Sequence, residues 1–435
     1  MKIKLSILLI VLTFSTNVMA SRRAEALSNK AISENSAVAA PAISELRALG
    51  PAGFDSLLST YAGEIKRHTS NPFERATPEW LRITAALDAV SQQKDSYLSR
   101  LFWYTDLNQA KAAAKATGKP ILSLRLLGNL NEEFSCANSR FFRTVLYSNT
   151  TVSDVLREGY ILHWQSVRPA PRITIDFGDG RKLERTITGN SIHYVLSTDG
   201  QIIDALPGLY GPAAFLSNLA KTEGLNKILA SKSTQERLKL LADYHQNAVK
   251  AVTTDWAADA RQVGGKIPDN LLPQGKGQRA VDIAPLAVTK AITEFPILQS
   301  MMRDADALKA ITDEPTWNSI AWRHINEARL DAQSIGLIKA QMADAWGDGA
   351  IANNKLLALL QRLQKDIALD TARNEYVLHT QLHAWLATGF ASFNLKEFNE
   401  KVYAELFKTP KSDPWLGLTT EDTYVGLQSG GVIRK

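Results

Sequence analysis

The sequence predicts an α/β protein, in which a mixed sheet with flanking helices lies between a helical N-terminal segment and an all-α C-terminal domain. Three observations carry this. Residues 102–219 interleave helical periodicity with short apolar runs, whereas 21–98 and the chain beyond 222 show helical periodicity alone. The composition, 45% apolar and 22% charged, is that of a globular chain and excludes disordered and collagen-like classes. The length, 435 residues, is enough for two to three domains with substantial cores.

The first segment, 1–20, reads as a secretory signal. Lys2 and Lys4 precede an apolar run from Leu5 to Phe14, and Val18-Met19-Ala20 offers small residues for cleavage. Residues 21–98 form a helical lead-in. Ile43, Leu46 and Leu49, then Phe54, Leu57, Leu58 and Tyr61, repeat at helical spacing around Gly50-Pro51, and Thr77 caps a helix running from Pro78 to Val90.

The domain at 99–221 begins with an alanine-rich helix over Asn108–Thr117, ended by Gly118, and the strand Ile121–Leu127. A loop reaches Cys136, and the following helix carries Phe141, Phe142, Val145 and Leu146 on one face, with Arg140 and Arg143 off it. The strand Tyr160–Val167 stops at Arg168-Pro169, and 172–188 alternates as a hairpin turning on Gly178-Asp179-Gly180. Strands Ile192–Leu196 and Gln201–Leu206 flank a turn at Thr198-Asp199-Gly200, and a helix starts at Pro212. Residues 222–435 read as mainly helical, with helices at 354–369, 374–388 and 396–407 and a Gly- and Pro-rich loop near 252–285.

Cys136 is the only cysteine, which excludes an intramolecular disulfide and the usual cysteine-based zinc sites. Its place at a helix start is chemically pointed, because unpaired backbone N–H groups and the helix dipole favour a thiolate there. Buried free cysteine is the competing reading of the same residue. Three features resemble the thioredoxin-like superfamily over 102–219: Lys119-Pro120 before a strand, Cys136-Ala137-Asn138-Ser139 at a helix start, and the final strand–turn–strand–helix from Gly189 to Leu206-Pro207-Gly208.

The resemblance is to the monothiol CxxS form. It implies that Cys136 is the attacking thiol, while Ser139 stands where the resolving cysteine would be. It also implies that Ser191 takes the place of the proline facing the motif, and Ser135 that of the tryptophan before it. A thiol reading makes Cys136 the nucleophile, has Ser139 polarise it, and gives Arg140 or Arg143 its charge to stabilise. The implied partner is a thiol-containing protein or a small thiol.

His379 and His383 are the candidate metal ligands. They stand four apart on a helix, with Glu375 four before, but Thr380 occupies the position that HExxH reserves for glutamate. The bland alternative is a semi-exposed helix face. His193 is a candidate base for Cys136, and His163 a satisfied core histidine. No cofactor motif is present: Gly178-Asp179-Gly180-Arg181-Lys182 lacks phosphate-loop spacing and precedes a strand, and no GxSxG occurs. Lys66-Arg67-His68 reads as a solvated helix end. Trp256, Trp317, Trp322, Trp346, Trp385 and Trp415 read as packing residues.

A net charge of +6 over the whole chain makes no case for nucleic acid or an anionic membrane surface. With no later run of about 18 apolar residues, no stable membrane anchor is expected after cleavage. The expected function is an exported protein, periplasmic or secreted, that forms mixed disulfides or exchanges thiols through one cysteine. The alternative is a non-catalytic thioredoxin-fold binding or scaffold protein of the cell envelope.

Overall fold

The computed structural model describes residues 22–187, 190–265, 314–346, 350–389 and 394–416; the proposed signal segment lies outside them. The N-terminal lead-in is built from helices at 22–31, Ser36–Ala48, Pro51–Thr60, Ala62–Ser70 and Pro78–Ser91, followed by the short Ser96–Ser99. Thr77 caps the last as its sequence predicts, accepting a hydrogen bond from the Trp80 N–H at 3.1 Å ahead of Pro78. Leu46, Phe54, Leu57, Ile83, Leu87 and Val90 gather into a core separate from that of the sheet.

Two of these helices touch backbone to backbone at Gly53, where a Cβ would lie 2.0 Å from the Leu46 carbonyl oxygen. Gly53→Ala therefore has to push the helices apart, at an expected cost of about 1–3 kcal/mol. A thermal unfolding midpoint unchanged from wild type would sink that expectation.

The sheet has five strands: β1 (Trp103–Tyr104), β2 (Ile121–Leu127), β3 (Ile161–Arg168), β6 (Ile192–Leu196) and β7 (Ile202–Pro207). Their order is β1-β3-β2-β6-β7. The β1–β3 and β2–β3 pairs are parallel, while β2–β6 and β6–β7 are antiparallel. Every residue of β2 is buried, as its nearly continuous apolar run requires of a central strand covered on both faces. The strands β4 (Arg172–Asp176) and β5 (Lys182–Thr186) form the expected hairpin as a separate two-stranded, largely exposed sheet. Gly178 and Gly180 supply positive φ at its turn. The helix Leu107–Thr117 has Asp106 as N-cap and left-handed Gly118 as its end.

After β7 come helices Pro212–Leu229, Thr234–Gln262, Glu314–Arg323, Ala332–Trp346, Ala350–Arg373, Thr380–Ala387 and Leu395–Lys401. The second opens with a complete capping box between Ser233 and Glu236. Their buried faces join the sheet in one apolar core reaching from Leu101 to Leu416. No helix among the described residues is long and apolar enough to cross a membrane.

The structure corrects the sequence reading at several points. Residues 252–262 of the expected loop are the end of the 29-residue helix Thr234–Gln262, because Val252, Trp256 and Ala260 supply it with a buried face. Residues 266–285 lie outside the description. The expected break between 369 and 374 is absent. Ala350–Arg373 passes instead through a π-helical segment, Asn374–His379, directly into Thr380–Ala387. The helix after Cys136 likewise turns from α (Ala137–Phe141) to π (Phe142–Leu146). Among the tryptophans, Trp322 and Trp415 are exposed rather than packed.

Candidate functional site

Cys136 sits where the sequence places it, as the N-cap residue of Ala137–Phe141, with its N–H donating to the Leu127 carbonyl at the end of β2. The tight loop between them needs Gly128: its φ is +73° and a Cβ would lie 3.1 Å from the Ser135 Cα. The sulfur is 0% exposed. It lies 3.2 Å from Ser191 Oγ and 3.5 Å from Ser139 Oγ, so the residue expected to face the motif does face it.

Ser139 donates its only hydroxyl proton to the Cys136 carbonyl at 2.8 Å, which leaves its oxygen to accept from the thiol. In this arrangement Ser139 cannot also donate to a thiolate. Tyr403, from the π segment Val402–Leu406, is close enough that Cys136 adds to the rise of its phenol pKa, which burial mainly causes. Its hydroxyl donates to the Asn190 carbonyl beside Ser191.

The arginines are engaged elsewhere than the sulfur. Arg140 donates to Thr186 Oγ1 at 3.0 Å, and Thr186 in turn donates to the Ser135 carbonyl. Arg143 is buried and donates to the carbonyls of Leu130 and Glu132. The π turn, by adding a residue to the helical repeat, re-aims it there. His193 is not a base for Cys136: its Nε2 is 2.6 Å from the Tyr147 hydroxyl, its ring packs on Phe142, and burial pushes its pKa down to about 3. His163 is buried as expected but only half satisfied: Nδ1 lies 2.8 Å from Ser123 Oγ across the β2–β3 pair, while Nε2 has no hydrogen-bond partner among the described residues.

A second constellation forms where the C-terminal helices cover the edge strand β7. His379 and His383 are both buried, which overturns their reading as a semi-exposed helix face. His379 bridges two carboxylates, with Nε2 3.2 Å from Asp204 Oδ1 and Nδ1 2.9 Å from Glu375 Oε2. Burial works against its charge, but Glu375 and Asp204 outweigh burial and hold its pKa up at about 10. Burial likewise opposes the ionisation of Asp204, and the surrounding histidines hold it well below the usual carboxylate range. Asp204 also accepts from the Tyr244 hydroxyl and the Ala205 N–H, each at 2.8 Å.

His383 turns its Nδ1 towards His245 Nδ1, 2.9 Å away on Thr234–Gln262, and stands 3.7 Å from Asp204 Oδ1. Sequence reasoning found His379 and His383 but missed Asp204 and His245. Their only local signal is a lone polar residue inside an apolar strand or helix face.

Glu375 carries this network to a cleft of about 270 Å³ between Pro212–Leu229 and the C-terminal helices, whose walls include Asn218, Lys221, His324 and Tyr376. Nearby, Asp259 accepts from Arg323 Nε at 3.0 Å, and from His324 Nε2 and the Tyr376 hydroxyl at 2.6 Å each. Hydrogen bonding to Glu327 leads, and that to Asp259 adds to, the rise of the His324 pKa from its ordinary 6.5 to about 9 against burial.

A histidine whose folded pKa is raised lends stability that is full below about 6.5, its unfolded value, and lost as pH climbs through 9. The unfolding midpoint should therefore fall between about pH 7 and pH 9.5, and His324→Gln should flatten that fall. Parallel pH profiles of wild type and variant would overturn the assignment.

Comparison with known proteins adds no relative: no family model, no curated protein and no solved structure matches this chain.

Proposed function

We propose that this is an exported, non-catalytic binding protein built on a thioredoxin-like sheet, in which Cys136 is a packing residue. One observation carries the reading: the sulfur is wholly buried among Ser139, Ser191 and the Tyr403 region, with no face for a partner thiol to approach. In-line attack on a disulfide requires such a face. The commitment of the Ser139 proton to a carbonyl supports the same reading.

The thioredoxin-like assignment is supported by the parallel β1-β3-β2 half joined to the antiparallel β6-β7 pair, and by Ser191 standing against Cys136. Export is supported by the composition of residues 1–20. The cleft beside Lys221 and Glu375 offers both signs of charge and an aromatic wall, which suits a small polar ligand.

Alkylation of Cys136 with iodoacetamide tests this. Labelling of the folded chain should be at least about 100-fold slower than that of the urea-unfolded chain, because the thiol reacts only through opening of the core. Labelling of the folded chain at the unfolded rate would overturn the proposal and restore thiol exchange through Cys136.

A further inference from the structure

We propose that Asp204, His245 and His383 form a structural site for a divalent transition-metal ion of the zinc type. The three come from β7, Thr234–Gln262 and Thr380–Ala387, and their ligand atoms all lie within 4.8 Å of one another.

Two of the three separations lie close to those of a coordination sphere, and the third is within 4.8 Å. Ligand atoms held 2.0–2.1 Å from a tetrahedral zinc stand roughly 3.3–3.4 Å apart. The observed separations, 2.9 Å between the two Nδ1 atoms and 3.7 Å from His383 Nδ1 to Asp204 Oδ1, straddle that value. Without an ion, one imidazole donates its Nδ1–H to the other; with both Nδ1 atoms unprotonated, the two rings and the neighbouring carboxylate oxygen can hold a cation instead. Two imidazoles and a carboxylate suit zinc, and copper or nickel equally among the first-row ions.

The outer contacts match for the carboxylate, whereas His245 Nε2 has no hydrogen-bond partner among the described residues. Ligating carboxylates are normally held by further hydrogen bonds. Asp204 is held by the Tyr244 hydroxyl, the Ala205 N–H and His379. The π-helical segment Asn374–His379 immediately precedes Thr380–Ala387 and sets the rotation at which His383 enters the cluster.

The described residues supply three ligands, so a water would complete the four-coordinate sphere; because all three residues are buried, the ion serves as a cross-link and not as a Lewis acid for substrate. It fastens two C-terminal helices to the edge strand of the sheet. The inference does not depend on the reading of Cys136.

The test uses the untagged full-length mature chain, stripped with chelator and reloaded with Zn²⁺ alone. One zinc per chain is expected, with a higher unfolding midpoint in the loaded form. His245→Gln and His383→Gln should each weaken binding by at least about 100-fold. Cys136→Ser should still bind one zinc.

Co²⁺ in the wild-type chain should show the visible d–d bands of a tetrahedral site without sulfur-to-metal charge transfer. Those bands decide the matter if the histidine variants fail to fold. Absence of stoichiometric zinc from the folded wild type, retention of zinc by both histidine variants, loss of zinc in Cys136→Ser, or a cobalt spectrum without tetrahedral bands would each overturn the site.

Discussion

Asp204→Ala should lower the stability of the chain by about 3–5 kcal/mol, the usual cost of removing one partner from a buried ion pair. Asp204 and His379 are each about 2% exposed, so neither can turn to water for compensation. The substitution leaves His379 with one carboxylate, Glu375, and strips the Tyr244 hydroxyl of its acceptor. Urea unfolding of wild type and variant measures the loss. A difference below about 1 kcal/mol would mean that the network is not a stabilising element. A double-mutant cycle with His379→Ala should show strong coupling, because residues sharing one network are not additive.

Trp103→Ala should cost a similar amount, about 3–5 kcal/mol, for a different reason. Trp103 is wholly buried where the N-terminal helices meet the edge strand β1, and its ring packs on Tyr147 at 5.0 Å between centroids. Its indole N–H donates to Gln93 Oε1 at 2.8 Å, and its carbonyl accepts from Arg47. Truncation opens a cavity and leaves the Gln93 oxygen, also buried, without this donor. Trp103→Phe keeps most of the volume but loses the hydrogen bond, so a smaller loss of about 1–3 kcal/mol is expected from it. Equilibrium unfolding of the pair separates the two contributions. Equal losses in both would show that the cavity is not the larger effect.

Both residues couple segments that local sequence treats separately. Trp103 links the lead-in core to the sheet, and Asp204 links the sheet to the C-terminal helices. Arg125 shows the limit from the other side. Inside the apolar strand β2 it reads as an interruption, yet it is 5% exposed, its Nη1 has no hydrogen-bond partner among the described residues, and burial lowers its pKa to about 10. Nothing in the alternation of that strand distinguishes it from a residue that reaches solvent.

Features encoded over a few residues were legible before the fold was known. The apolar run of β2, the hairpin on Gly178-Asp179-Gly180, the caps at Thr77 and Asp106 and the helix start at Cys136 are all in place, because each rests on local backbone preference and side-chain period. The tertiary structure alone decided the state of the chemistry. Tyr403 reaches Cys136 and Asn190 from the far end of the chain, while His245 meets His383 across 138 residues and His379 meets Asp204 across 175. The π-helical segment at Asn374–His379 further shifts the phase that an ideal 3.6-residue repeat assigns to those histidines. Burial and convergence depend on which distant surfaces pack together, and no local period carries that information.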